Sequence, residues 1–515
     1  MLRYIVVLIS FIVFMSPFTY ASRLALVIGN GDYHHEPSLA NPVNDATDIA
    51  AVLKNLGFEV ILKRNAKRRA MIRAVQDFGE QLPRHDVGLF YYSGHGLQAR
   101  GENFLVPVDA QIKSKADIEF ESVSANRILH QMDEANNGVN IVILDACRDN
   151  PFTTSQKGFR KGLAEMNSPT GSLIAFATVP NTSAWGGQSG KRNSIYTKHF
   201  LRALQNQAHL SITDLFTQVR KEVIQETKNE TIQVPWESVS LLDRFCFGSC
   251  GSGEPGNPVQ ASRLALVIDR FCFRCSGEPG NPVQASRLAL VIGNNDYIYE
   301  SLLNSPVNDA RDMATVLRGL GFTVIDRYNL KQRDFEQVVQ SFEKQLQKYN
   351  VGLFYYSGHG LQAQGNNYLV PIDARIESAV DIKYTSINAN WILEKMEYAN
   401  KHTNLLILDA CRDNPFKSIR KGFNKGLAEM SPKGSLIAFA TAPGTTALDG
   451  LPTERNSIYT KHLLNQLRTQ PHLSVSDLLT QVAGGVARET NQKQWPWKSD
   501  SLTSMFYFAS AITSQ

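Results

Sequence analysis

Short apolar runs alternate with amphipathic stretches along most of the chain. Val87 to Tyr92 and Val139 to Leu144 are continuously apolar, which is typical of strands buried on both faces of a parallel sheet. Val43 to Leu56 places apolar residues at helical spacing, and Gly57 supplies a helix stop. The alternation predicts an α/β fold with a mostly parallel central sheet flanked by helices on both faces. Further predicted elements are strands at Arg23 to Ile28, Phe58 to Leu62 and Leu173 to Ala177, and helices at Met71 to Leu82 and Ile128 to Ala135.

The whole pattern occurs twice. Ser93 to Gly96 returns 264 positions later at Ser357 to Gly360, and Asp145 to Phe152 returns with the same offset at Asp409 to Phe416. A repeat of this length indicates that a whole domain is duplicated in tandem, because solenoids repeat over much shorter periods. The predicted division is a first domain at 22–247, a linker at 248–285 and a second domain at 286–510.

The linker contains a partial duplication of its own. Gly253 to Ile268 recurs at Gly277 to Ile292, which leaves a spare apolar strand, Arg263 to Ile268, that can pair with a sheet edge or promote aggregation. Four cysteines crowd into this part of the chain. Disulfides, a zinc site and free thiols are the alternatives for them, and an oxidising compartment favours disulfides. The four are Cys246, Cys250, Cys272 and Cys275.

The first 21 residues have the pattern of a removable signal peptide. Arg3 gives a positive start, Ile5 to Phe14 is apolar apart from Ser10, and Thr19 to Ala21 fits a small-residue cleavage site. The apolar run is short for a bilayer span, and an uncleaved anchor is the alternative. We therefore expect a secreted or periplasmic protein with no stable membrane span in the mature chain.

Composition and charge exclude some partners. The chain is 43% hydrophobic and 20% charged, as in ordinary globular proteins. A net charge of +5 is small for 515 residues, and the basic cluster from Lys63 to Arg73 is explained by a solvated helix face. We therefore expect no nucleic-acid partner, and the sequence indicates no metal and no cofactor.

A histidine and a cysteine follow two of the buried strands. His95 comes after Val87 to Tyr92, and Cys147 comes after Val139 to Leu144. Because the carboxyl ends of parallel strands share the sheet edge where α/β proteins bind ligands, we expect the two side chains to meet. An imidazole beside a thiol can deprotonate it and so create a nucleophile. Taken singly, a buried cysteine is often only a small apolar residue, and a strand-end histidine is often structural.

The glycines around the histidine fit the same chemistry. Gly94 and Gly96 permit an unusual turn and leave room for a substrate chain. The backbone N–H groups of Gly96 and Cys147 are candidate donors to an oxyanion. Gly360 is the counterpart of Gly96 in the second copy.

Together these motifs resemble those of caspase-like cysteine peptidases, in particular the metacaspase and bacterial caspase-like branch. Tyr92 to Gly96 and Leu144 to Arg148 carry the resemblance, with His95 lying 52 positions before Cys147, and the second copy repeats both motifs. The resemblance implies a caspase–haemoglobinase fold, polypeptide substrates and a His/Cys dyad in each copy. The implied dyads are His95 with Cys147 and His359 with Cys411.

Acidic residues in the same motifs predict a preference for cationic substrates. Asp145 lies two positions before Cys147, where the caspase signature has Gln, and an acid there favours a basic substrate residue. Asp45 opens the first long helix, where the resemblance to metacaspases implies a residue of the specificity pocket. We therefore expect cleavage after Arg or Lys; the alternatives are a helix-dipole role for Asp45 and a structural role for Asp145. The counterparts are Asp309 and Asp409.

Other functions fit the sequence less well. The alternative to an endopeptidase is a non-catalytic caspase-fold module that binds basic peptides. A nucleotide-binding domain is disfavoured because no Gly-rich phosphate loop follows a first strand. Lys157 to Lys161 is either a self-cleavage site or a solvated loop.

Overall fold

The computed structural model describes residues 21–146, 163–164, 166–179, 190–229, 232–250, 286–378, 380–400, 402–410, 427–428, 430, 432–443, 445, 447–448 and 454–509. Several predicted features lie outside the described residues: most of the predicted signal peptide, Cys147, Cys411, Cys272, Cys275, Lys157 to Lys161 and the spare strand Arg263 to Ile268.

The first copy alternates strands and helices as its sequence predicts. Strand Val87–Ser93 is buried along its whole length, in keeping with its unbroken apolar run. The first long helix has Pro42 in its first turn and ends before Gly57, whose φ of +83° suits glycine. The elements are β1 (Arg23–Gly29), α1 (Pro42–Asn55), β2 (Phe58–Arg64), α2 (Arg68–Gln81), β3 (Val87–Ser93), β4 (Gly96–Ala99), β5 (Glu102–Leu105), α3 (Ile118–Glu121), β6 (Val123–Ser124), α4 (Ala125–Glu134), β7 (Val139–Asp145), β8 (Ser172–Phe176), α5 (Ile195–Asn206), α6 (Ile212–Thr227) and β9 (Trp236–Val239).

The second copy repeats this order. Its elements are β10 (Arg287–Gly293), α7 (Pro306–Gly319), β11 (Phe322–Tyr328), α8 (Gln332–Leu346), β12 (Val351–Ser357), β13 (Gly360–Ala363), β14 (Asn366–Leu369), α9 (Ile382–Thr385), β15 (Ile387–Asn388), α10 (Ala389–Ala399), β16 (Thr403–Asp409), β17 (Ser435–Phe439), α11 (Ile458–Thr469), α12 (Val475–Glu489) and β18 (Trp497–Asp500).

The sheet of the first copy has the strand order β2-β1-β3-β7-β8-β9. Its first five strands are parallel, and β9 pairs antiparallel with β8. The connection from β1 to β2 crosses the sheet in the opposite direction from the connection between β2 and β3. Since such crossovers are right-handed, α1 and α2 cover opposite faces. The predicted α/β fold is therefore confirmed, with an antiparallel sixth strand, β9, that the sequence did not predict.

A small antiparallel sheet stands beside the main one in each copy. Strands β4, β5 and β6 form it in the first copy, and a satellite apolar cluster that includes Tyr33 and Leu97 packs around it. The same arrangement surrounds Tyr297 in the second copy. This cluster supports the loop that connects β1 to α1.

The two copies share one continuous sheet. Strands β9 and β18 pair antiparallel, with Ser238 opposite Ser499, so the described strands of the two copies form a 12-stranded sheet. Arg220 of the first copy is fully buried at this junction. Its guanidinium pairs with Glu237 and donates to the backbone carbonyl of Asp500, 2.9 Å away in the second copy. The duplication therefore builds one compact body.

Cys246 and Cys250 form a disulfide just after β9, with their Cα atoms 5.3 Å apart. This settles one pair among the alternatives left open by the sequence. Among the helices that the structure describes, none has the length and apolar character needed to cross a bilayer.

Candidate active site

His95 lies in the turn between β3 and β4 and is held by three groups. The ring of Tyr33 packs against the imidazole with centroids 4.5 Å apart. The Tyr33 hydroxyl accepts a hydrogen bond from the His95 backbone N–H at 2.8 Å, and the Tyr92 hydroxyl donates to the His95 carbonyl at 2.8 Å. His95 is only 4% exposed. Its position is therefore fixed by the strand it follows and by the loop that carries Tyr33.

One ring nitrogen of His95 is committed to the backbone. Nε2 lies 2.8 Å from the carbonyl oxygen of Pro37. Because a carbonyl can only accept, Nε2 must carry the proton of this bond, and in the neutral ring Nδ1 then carries the lone pair. In the second copy the carbonyl oxygen of Ser301 accepts the equivalent hydrogen bond from Nε2 of His359, at 2.9 Å. Both histidines are thus held in the tautomer that makes Nδ1 the basic atom.

The turn that carries His95 packs against the chain just before Cys147. Strands β3 and β7 are adjacent and parallel, with Ser93 in register with Asp145. The Gly94 N–H donates to the Asp145 carbonyl at 3.4 Å, and a Cβ built on Gly96 would lie 2.7 Å from the carbonyl oxygen of Ala146. Cys147 itself lies outside the described residues. The structure therefore shows the His95 turn in contact with the end of β7, up to Ala146, the residue before Cys147.

The second copy repeats these contacts. The Gly358 N–H donates to the Asp409 carbonyl at 3.3 Å, and a Cβ on Gly360 would lie 2.9 Å from the Cβ of Ala410. Tyr297 packs against His359 with centroids 4.5 Å apart. Cys411 is the next residue after Ala410 and, like Cys147, lies outside the described residues.

The glycines of the turn are needed for close packing. A Cβ on Gly94 would lie 2.6 Å from the Tyr92 hydroxyl and 2.7 Å from the Tyr33 hydroxyl. Gly96 has no room for a side chain because Ala146 lies against it. Packing alone therefore explains both glycines, and the oxyanion roles of the Gly96 and Gly360 N–H groups stay predictions.

Asp45 and Asp145 meet beneath the same sheet edge. Both are buried, at 0% and 1% exposure. Ser194 links them: its backbone N–H donates to Asp45 at 3.0 Å, and its hydroxyl donates to Asp145. Ser93 donates a further hydrogen bond to Asp45 at 3.0 Å, and Thr197 donates one to Asp145 at 2.8 Å. The two acids that the sequence places 100 positions apart thus form one buried pair.

The electrostatics of this pair are unfavourable when both carboxylates are charged. Burial raises the pKa of Asp45 to about 7, and the neighbouring charge of Asp145 adds to the rise. Hydrogen bonds from Ser194, Asn193 and Ser93 oppose it only in part. A cation placed between the carboxylates would relieve the repulsion.

The second copy contains an equivalent acid pair. Ser457 links Asp309 and Asp409 as Ser194 does in the first copy, with its N–H 3.0 Å from an Asp309 oxygen and its hydroxyl donating to Asp409. Ser357 and Thr460 supply the remaining hydrogen bonds, at 3.0 Å to Asp309 and 2.8 Å to Asp409. All four predicted acids are therefore placed in buried pairs, one pair in each copy.

Several residues of the site escaped the sequence analysis. Tyr33 and Pro37 lie in the loop after β1 and reach His95 across about 60 positions, so no local pattern relates them. Ser194 left a weak signal, since it caps the N-terminus of α5 by accepting from the Thr197 N–H. In the described residues no group of three or more His, Cys, Asp or Glu side chains is arranged to share a metal ion.

Fold and site together define a class of protein: a duplicated α/β protein with an oriented imidazole and a buried acid pair at the carboxyl edge of each half-sheet. Comparison with known proteins assigns the family. The caspase domain family matches residues 22–246 and 286–507, so the chain belongs to that family of cysteine peptidases.

Individual relatives are distant. Human mucosa-associated lymphoid tissue lymphoma translocation protein 1 is 34% identical over 126 residues, which are 24% of this chain and 15% of that protein. Caspase-1 of Rattus norvegicus is 22% identical over 245 residues, covering 44% of this chain and 59% of that protein. Cell death protein 3 of Caenorhabditis remanei is 24% identical over 278 residues, covering 45% of this chain and 51% of that protein. The matches thus span 15 to 59% of the lengths of these relatives.

Proposed function

We propose that each copy is a cysteine endopeptidase that cleaves polypeptides after Arg or Lys. The dyads would be His95 with Cys147 and His359 with Cys411. The observation that carries the proposal is the orientation of His95: Nε2 is bound to the Pro37 carbonyl, and the turn holding the ring packs against Ala146, the residue before Cys147. Membership of a cysteine peptidase family supports the same chemistry.

The proposed reaction uses Nδ1 as the proton carrier. Nδ1 takes the proton of the cysteine thiol, and the thiolate attacks the scissile carbonyl carbon. The C–N bond then breaks, and the imidazolium returns its proton to the leaving amine, which leaves a thioester. Water attacks the thioester with Nδ1 as base, releasing the carboxylic acid and restoring the thiol. The Gly96 and Gly360 N–H groups are the proposed donors to the oxyanion.

The buried acids supply the proposed preference for a basic residue. Asp45 and Asp145 share one hydrogen-bonded site in which their charges repel, so a guanidinium or ammonium group gains from entering. A substrate Asp would add a third negative charge and should be rejected. Asp309 and Asp409 offer the same arrangement in the second copy.

Single-cysteine variants test this proposal. The full chain carrying Cys147→Ala or Cys411→Ala is assayed on peptide reporters with Arg, Lys or Asp before the scissile bond. We expect each variant to cleave the Arg and Lys reporters, and the double variant to cleave none. Preference for the Asp reporter would refute the specificity, while cleavage by the double variant would refute the dyads. A wild-type chain that binds Arg peptides without cleaving them would instead be a non-catalytic binding module.

We also propose that the mature chain works outside the cytoplasm. The Cys246–Cys250 disulfide supports this, because such bonds persist in oxidising compartments. The test is the mass of the exported protein, which should begin after Ala21. Recovery of the full-length chain in the cytoplasm alone would contradict the proposal.

A further inference from the structure

The loop between the first strand and first helix of each copy, residues 30–41 and 294–305, is here called the rim loop. In both copies it touches the candidate histidine twice, through a tyrosine ring and through a backbone carbonyl four residues later. In the second copy these anchors are Tyr297 and Ser301. Side chains between and next to the anchors therefore lie within two residues of a group that contacts His359.

Three of those side chains in the second copy are large, apolar and exposed. Ile298 is 56% exposed, Tyr299 is 55% exposed and Leu302 is 70% exposed. Exposed apolar groups close together are unfavourable in water and are typical of binding surfaces. Because more than half of each side chain faces solvent, the packing of the loop does not account for them.

The first copy provides an internal comparison. The corresponding residues, 264 positions earlier, are His34, His35 and Ser38, and all three are exposed. The two loops nonetheless hold their histidines with matching contacts, 2.8 Å and 2.9 Å from Nε2 to the loop carbonyl. The fold of the rim loop therefore does not depend on apolar residues at these positions.

The residue that contacts position 35 or 299 also differs between the copies: it is Gln111 in the first and Arg375 in the second. In the first copy His35 forms a 2.9 Å hydrogen bond with Gln111, a contact between two polar side chains. In the second copy the guanidinium of Arg375 lies 5.9 Å from the centre of the Tyr299 ring, a cation–π arrangement that leaves the rest of the ring exposed. At these three positions the rim loop is thus polar in the first copy and aromatic or aliphatic in the second.

We propose that Ile298, Tyr299 and Leu302 form an apolar subsite that binds a large apolar substrate side chain near the scissile bond. The occupant is a residue of the same polypeptide whose basic side chain is recognised, on the proposed function, by the acid pair of Asp309 and Asp409. The first copy, with its polar rim, does not select for such a residue. The two sites of one chain therefore prefer different substrates, an inference that rests on the proposed function.

The continuity of the loop with the site argues for this occupant. The carbonyl that holds His359 belongs to Ser301, so Leu302 follows the anchor directly and Tyr299 lies two residues before it. On this proposal, a polypeptide with its scissile bond beside His359 runs along the rim loop and contacts these side chains. Contact with one apolar side chain should strengthen binding about tenfold, which corresponds to about 1.4 kcal/mol.

The test separates binding from cleavage. The full chain with Cys147→Ala and Cys411→Ala is titrated with two labelled peptides that share one Arg and carry either leucine or serine on both sides of it. The leucine peptide should show one tight class of site, about tenfold tighter than the serine peptide. The triple variant Ile298→His, Tyr299→His and Leu302→Ser should lose this tight class of site. The variant is expected to fold, because the rim loop of the first copy already carries those residues.

The reciprocal exchange is the matched control. His34→Ile with His35→Tyr and Ser38→Leu should create a second tight site for the leucine peptide. Equal affinity for both peptides, no binding of either, or no effect of the exchanges would overturn the subsite. So would light scattering that shows a dimer lost on the rim exchange, because the patch would then join two copies of the chain.

Failure of the subsite and failure of the proposed function are distinguishable. Cleavage of both peptides by the intact chain with no dependence on the rim would overturn the subsite and leave the endopeptidase standing. Rim-dependent binding with no cleavage by the intact chain would support the subsite and overturn the endopeptidase.

Discussion

At the scale of single residues, the site depends on how the two histidines are held. Tyr33 contributes both a ring contact and a hydroxyl that accepts from the His95 backbone N–H. Removing the hydroxyl leaves a buried N–H without this acceptor, which costs roughly 1–3 kcal/mol locally. Tyr33 therefore acts as a positioning residue for the proposed base.

Tyr33→Phe should slow the first site only. In the Cys411→Ala background we expect kcat/KM on an Arg reporter to fall about tenfold. In the Cys147→Ala background, where only the second site has its thiol, the same substitution should have no effect. An equal loss in both backgrounds would point to a general loss of folding and contradict a positioning role.

Asp45→Asn should change how stability depends on pH. The pKa of Asp45 is raised to about 7 in the folded chain, against an ordinary value of 3.8. Between about pH 4 and 7 the unfolded chain loses this proton first, so the wild-type free energy of unfolding falls as pH rises. Asp45→Asn removes this penalty, and urea unfolding should show the variant gaining stability relative to wild type from pH 5 to pH 8.

Asp48→Asn is the control of opposite sign on the same helix. Hydrogen bonding to Arg192 lowers the pKa of Asp48, so its contribution to stability is present above its ordinary pKa and is lost as the pH falls. The Asp48→Asn variant should therefore have a lower free energy of unfolding than wild type at pH 8, and a similar one at acidic pH. Identical pH dependence of both variants would contradict the account of the buried pair.

Some of these residues were predictable from the sequence and others were not. His95 and Cys147 come shortly after two apolar runs, so strand-end placement predicted a shared sheet edge, and the two strands are adjacent and parallel. Tyr33 and Ser194 join the site only through contacts across the fold. Short motifs carry no information on such partners.

At the scale of elements, the parallel strands were predictable because each is a continuous apolar run. Strand β9 was missed, since Trp236–Val239 is short and contains the buried Glu237 and Ser238. Helix α6 was missed as well, because its buried face contains Arg220 and several hydroxyl groups. Polar residues buried at a junction between domains break the pattern on which sequence prediction relies.

Gly484→Ala should weaken the junction between the copies. Gly484 lies in α12, and a Cβ there would overlap the backbone carbonyl oxygen of Leu242 in the first copy. Such overpacking typically costs about 1–3 kcal/mol. Gly319→Ala is the control, because Gly319 ends α7 with no atom within 4 Å of a new Cβ, and it should gain up to about 1 kcal/mol. Urea unfolding compares the two, and a stabilised Gly484→Ala would contradict the packing.

At the scale of the whole molecule, the duplication produces one sheet instead of two. The repeat was plain in the sequence, but the pairing of β9 with β18 was not, since an edge strand does not specify its neighbour. Buried contacts from Arg220 to Glu237 and to the backbone of Asp500 hold the two edge strands together. Both candidate sites thus lie at strand ends of one shared sheet.

Cutting the connection between the copies should not separate them. A specific protease site built into residues 251–285 allows the folded chain to be cleaved, and the two fragments should then co-migrate in gel filtration with the mass of the intact chain. Elution as two separate fragments would contradict a shared sheet.

The most direct measurement for the central claim is active-site labelling by a peptidyl-arginine chloromethyl ketone, followed by mass spectrometry of the intact chain and of its peptides. We expect two labels per chain, on Cys147 and Cys411, one of which is lost in each single Cys→Ala variant. The aspartyl analogue should label neither residue. Absence of label on both cysteines would contradict the two His/Cys dyads, and faster labelling by the aspartyl reagent would contradict the preference for a basic residue.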